Sequence, residues 1–161
     1  MALRREGIKE RHWQQIFALI KLDLQKVEYL NFKYFLDKGI EKYKEEILEI
    51  TEKAFKEFKI EEQLEDMNKN WEHIVFELTP IKSNKVLIIK GFDRIFDMLD
   101  MDILKTQRLQ FSIYKKHFEN DILIRIKLLT VMSDVIEEWA KFQQKWIYLF
   151  PIFGNIKKNI F

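Results

Sequence analysis

At 161 residues, with 47% hydrophobic and 34% charged side chains, the chain has the length of about one domain and is too apolar for intrinsic disorder. Its 28 Lys and Arg against 26 Asp and Glu leave a net charge of +2, too even for the basic stripe of a nucleic-acid binder. Cysteine is absent, which excludes a disulfide framework and thiolate chemistry. The opening "MALRREGIKERHW" has no apolar core of the secretory type, so no signal peptide is expected. The longest apolar runs, such as "IYLFPIF", fall short of the roughly 20 residues that a membrane span requires. With 4 Gly and 2 Pro there is little material for loops and none for a flexible linker.

In chain order, Trp13, Ile16, Phe17, Ile20, Leu24 and Val27 fall at helical spacing and predict a first helix. Gly39 is placed to stop the helix that carries "YFLDK". A second helical pattern begins near Ile40 with Tyr43, Ile47, Ile50 and Ala54, and a third carries Ile60, Leu64, Met67 and Trp71. The "KEFKI" between them fits either a break or continuous helix. Then the period changes. "IVFELTPIKSNKVLIIK" is rich in β-branched residues and sets Ile74, Phe76 and Leu78 on one face of an extended segment. A small β-hairpin over about residues 74–89 is predicted, with strands Ile74 to Thr79 and Val86 to Ile89 and "KSNK" as the turn. Pro80 excludes a central strand. Gly91 then releases the chain into the helix "FDRIFDMLDMDILKTQ".

The last third carries Phe118, Ile122, Arg125, Leu129, Met132, Ile136, Trp139, Gln143, Trp146, Phe150 and Phe153. The steps alternate four and three, the register of a heptad seam. Pro151 should weaken or end it. At 1.5 Å per residue the run spans roughly 50 Å, against about 30 Å for the width of a small domain. The expected fold is therefore mainly α: one elongated helical domain over residues 1–161, with the hairpin and a long C-terminal heptad-patterned helix. Trp71, Trp139 and Trp146 are expected in its mechanical core, and Trp139→Ala should cost roughly 3–5 kcal/mol.

Catalytic signals are missing. There is no phosphate-cradling G-x-x-x-x-G-K-[ST] or G-x-G-x-x-G, and His12, His73 and His117 lack metal-ligand spacing. His12, beside Trp13, could act as a switch, and is read ahead of that as a surface or capping histidine. The acidic "EEQLED" is read as a solvated helix face, and there is no nucleophile elbow. No catalytic, cofactor-binding or metal-ligating residue is expected in this chain. Glu57 and Gln143 interrupt otherwise apolar stripes. Because a buried polar group left unpaired costs about 1–3 kcal/mol, each should find a partner or sit at an edge.

The order of these signals resembles the linker region of dynein heavy chains, N-terminal to the ring of ATPase modules. "RHW" at Arg11 to Trp13 is similar to that family's opening. Ala54, Glu57, Ile60, Glu61, Leu64, Met67 and Trp71 match its central helix, and "FELTPIKSNKVLIIKGFDRIFDMLD" its hairpin and following helix. Thr106, Gln107 and Ser112 match further positions. Trp139, Gln143, Trp146, Tyr148, Leu149, Pro151, Ile152 and Phe153 match its closing signature. The departures are Ile113, Arg125, Phe150 and the tail "GNIKKNIF"; they mark a divergent member, a fragment or a shortened gene product.

The resemblance implies a non-catalytic mechanical element that couples ATP-driven changes in the motor ring to movement along microtubules. Trp13 and the residues of the central helix and closing signature would be its structural signature, and aromatics would lie exposed at its edges for contacts with the ring. The implied partner is the ATPase ring of the same heavy chain, with other dynein subunits possible and microtubules only indirectly engaged. Neither nucleic acid nor membrane is implied. Location would be cytoplasmic and cytoskeletal, in an axoneme or in the cytoplasm. Two other readings of the residues are a generic helical scaffold or coiled-coil interaction module, and a surface helix with "KWIYLFPIF" in a membrane interface.

Overall fold

The computed structural model describes residues 6–21, 32–37, 39–81 and 86–156. Within these the chain is mainly α-helical with one small antiparallel hairpin, as the periodicities predict. Leu24, Val27, the "KSNK" turn and the side chain of Phe153 lie outside the described residues. The chain forms two units. One comprises Met1–Asp66 with Ile113–His117, the other Met67–Ser112 with Phe118–Phe161.

In the first unit, α1 spans Glu10–Leu19, α2 spans Phe32–Asp37, and a 3-10 turn at Ile40–Tyr43 leads into α3, Lys44–Glu72, whose residues through Asp66 belong here. Gly39 adopts a left-handed φ of 71°, and its N–H donates to the Leu36 carbonyl, so it does stop α2. Beyond it α3 continues for 29 residues without a break at "KEFKI". No Gly or Pro interrupts it, and Ala54, Glu57, Ile60 and Leu64 are all buried at steps of three and four that keep them on one face. Ile20 and Phe35 form a small core with Phe17, Ile40 and Tyr43 around them, and Trp13 stacks on Phe17 at 5.7 Å. Before α1, Gly7 has φ 90°. A Cβ there would lie 2.3 Å from Phe58 Cβ, so only glycine lets the chain run this close to α3.

In the second unit, β1 (Glu77–Pro80) pairs antiparallel with β2 (Leu87–Lys90), Leu78 opposite Ile89 and Pro80 opposite Leu87. Both strands start later than the sequence suggests. Ile74 is not in β1: its N–H closes on the Trp71 carbonyl at the end of α3. Phe76 also lies outside, because its register partner would be Gly91, which has turned to φ 78° to open α4. Ile81 N–H donates to the Val86 carbonyl at 2.9 Å. Hydrogen-bonded and open pairs alternate from there, so Pro80 falls on an open pair and its missing N–H removes no ladder bond.

Helix α4 runs from Phe92 to Gln110 and α5 from Glu119 to Ile156, 38 residues or about 57 Å at the standard rise. Ile95 and Leu99 of α4 meet Leu129 and Ile136 of α5 in the main core, with Trp71, Ile74, Phe92, Phe96, Ile103 and Met132 around them. Pro151 sits inside α5 without ending it. Its fixed φ is helical, so what it removes is one backbone bond to the preceding turn.

Candidate functional site: a buried carboxylate and an exposed apolar helix face

Two features stand out, one in each unit. In the first, Glu57 is 1% exposed on the buried face of α3. Arg11 of α1 hydrogen-bonds Glu57 Oε2 through both Nε and Nη2. His12 Nε2 lies 3.2 Å from the same oxygen, and His117 Nε2 lies 4.0 Å from Oε1. Burial alone would raise the Glu57 carboxyl, but the Arg11 hydrogen bonds and charge, helped by His12 and His117, hold it below the ordinary value. His12 is itself 1% exposed. It caps α1, because its Nδ1 accepts the Lys9 backbone N–H at 3.0 Å. The capping expectation for His12 holds, and the surface expectation is corrected. A helix start packed on α3 places the ring in the interior, and both ring nitrogens are engaged there. Lys9 Nζ meets Glu61 Oε1 at 2.6 Å one turn further along α3.

In the second unit polar groups are likewise paired. Trp71 Nε1 donates to Asp102 Oδ2 at 2.8 Å, and Lys105 Nζ lies 3.3 Å from the other oxygen. The Thr106 hydroxyl donates to the Asp102 carbonyl at 2.6 Å, with Met67 Sδ 3.8 Å away. Asp102 was not singled out from the sequence. The available signal was its place, with Thr106, in the apolar stripe Ile95, Leu99, Asp102, Thr106, Leu109, all buried. Gln143 holds β2 to α5: its Oε1 accepts the Ile89 N–H and its Nε2 donates to the Ile89 carbonyl, both at 2.7 Å.

The heptad seam is buried at Phe118, just before α5, and at Ile122, Leu129 and Ile136 within it. Arg125 reaches Asn68 of α3 by hydrogen bond. Further along, Trp139 and Trp146 are exposed, at 52% and 38%. This corrects their expected place in the core, and with it the large cost assigned to Trp139→Ala. The reason is geometric. A straight helix drifts about 20° per heptad from a strict 3.5-residue repeat, so the seam walks off the buried face toward its C-terminal end.

Both tryptophans join a second stripe, Ile124, Leu128, Val131, Val135, Phe142 and Leu149, all exposed. Trp139, Phe142, Trp146 and Phe150 follow one another with ring centroids 6.0–6.5 Å apart. Asp134, Val135, Glu138, Trp139 and Phe142 line an open groove of about 550 Å³. Of the remaining signature residues, Ala54, Leu64 and Met67 are buried, Trp13 and Trp71 half-buried, and Tyr148 and Leu149 exposed. Among the described residues no cluster of three or more His, Cys, Asp or Glu is arranged to hold a metal ion. No described helix is long and apolar enough to cross a membrane.

The profile of the dynein heavy chain, N-terminal region 2, matches residues 1–160. The chain belongs to this dynein heavy chain family. It is 36% identical over 153 residues to dynein axonemal heavy chain 1 of Rattus norvegicus, covering 95% of this chain and 3% of the relative. To dynein axonemal heavy chain 12 of Homo sapiens it is 33% identical over 146 residues, 91% of this chain and 5% of the relative. To human dynein axonemal heavy chain 3 it is 30% identical over 149 residues, 92% and 4%. This dynein heavy chain segment thus spans only 3–5% of the length of these relatives.

Proposed function

We propose that this chain is a mechanical linker segment of a dynein heavy chain that passes ATP-driven changes in the motor ring on to movement along microtubules. In this reading the segment does not hydrolyse ATP and holds no cofactor of its own. Its partner is the ATPase ring of the same heavy chain, other dynein subunits are secondary contacts, and microtubules are reached only indirectly. By analogy with the axonemal relatives, it works in the cytoskeleton of a cilium.

The observation that carries this reading is the two-sidedness of α5. One side is locked into a core with α4, which stiffens it. The other presents an apolar stripe to solvent, as a part that makes and releases contacts requires. A plain coiled-coil module would have no use for a hairpin clamped to α5 by Gln143. The test is to exchange the aligned segment of rat axonemal heavy chain 1 for this chain and measure both microtubule gliding and ATP turnover by the ring. Gliding should be retained with the exchange and lost when Trp139, Phe142 and Trp146 are all changed to Ser, with ATP turnover continuing. Unchanged gliding in the triple variant would remove the lever role.

A further inference from the structure

We propose that the Glu57 cluster is an acid-released latch that fastens the start of α1 to α3. The argument rests on where protons can sit. His12 Nδ1 accepts the Lys9 N–H, so it carries no hydrogen in this arrangement, and the ring proton is on Nε2, facing Glu57 Oε2. Adding a second proton turns Nδ1 into a donor pointed at another donor. The cap on the first turn of α1 is then lost, and two N–H groups are forced apart.

The surrounding groups act in both directions. Burial disfavours the imidazolium most, Glu57 favours it, and Arg11 and Lys53 oppose it, leaving the His12 value lowered. His117, on the 3-10 turn Lys115–His117, faces the other carboxylate oxygen at 4.0 Å. Lys9 and Glu61 pair half-exposed at the rim.

The sign follows from linkage. A histidine whose folded value lies below the ordinary 6.5 contributes stability that is complete above that pH and is lost as pH falls through the folded value. Acid therefore loosens Lys9–Trp13 first. Ala54, Ile60 and Leu64 on the buried face of α3 carry no titrating group and stay closed.

The test is amide hydrogen exchange on the 161-residue chain between pH 7.5 and 5.5, corrected for the intrinsic pH dependence of exchange. Protection at Lys9–Trp13 should fall about ten-fold while that at Ala54–Leu64 holds. The variant His12→Gln keeps an acceptor for Lys9 and a donor for Glu57 but cannot titrate, and it should show no such fall. A carbon-detected titration of the His12 ring in the unaltered chain gives an independent readout, with its midpoint below 6.5 and coincident with release. An equal loss of protection across α3, a fall that persists in His12→Gln, or a His12 midpoint at or above 6.5 would each overturn the latch.

Discussion

The two units reach stability by different means. Where α1 meets α3, one buried carboxylate gathers an arginine and two histidines from two parts of the chain. Between α4 and α5, Ile95, Leu99, Leu129 and Ile136 interlock, and the polar pairs stand beside that core. Hydrogen bonds to charged groups are directional and depend on protonation. Apolar packing is neither; it depends on volume. The first arrangement can therefore be opened by chemistry that leaves the second intact.

The largest expected effect tests the apolar side. Leu99→Ala should cost about 3–5 kcal/mol in urea denaturation, with little change between pH 5 and 8. Glu57→Ala comes next, at about 3 kcal/mol near neutral pH, because Arg11 and His12 are left facing an empty site. Glu57 sits below its ordinary value of 4.5, so its contribution is present above that pH and lost as pH falls through the folded value. The gap between Glu57→Ala and the unaltered chain should accordingly narrow in acid, and a gap independent of pH would make the comparison false. Gln143→Ala should cost roughly 1–2 kcal/mol and raise hydrogen exchange at the Ile89 amide without disturbing Leu99 or Leu129. The smallest effect is Trp139→Ala, under about 1–2 kcal/mol given its half-exposed ring. A loss of 3 kcal/mol or more in the same melts would return Trp139 to the core.

Much of this was legible in the sequence. Helical spacing predicted α4 and the length of α5, and β-branched residues beside a proline predicted a two-stranded hairpin. Glu57 and Gln143 were conspicuous as polar residues in apolar stripes, and both have partners. Which partners could not be read, because Arg11 and Ile89 lie 46 and 54 residues from them, and local periodicity says nothing about what meets across such a span. The placement of Trp139 and Trp146 failed for a related reason. Four-three spacing shows that residues share a face, and those two positions fit both stripes of α5. Only the packing of α4 decides which stripe is covered.

The hairpin's margins have a consequence for solubility. On the outer rim of β1 the outward positions are Leu78 and Pro80, and proline brings no donor. On the outer rim of β2 the Gln143 amide already occupies Ile89 as a further strand would. Neither rim offers the row of free donors and acceptors that templates fibril growth, so this short ribbon should resist recruiting foreign strands even when heavy-chain segments crowd together.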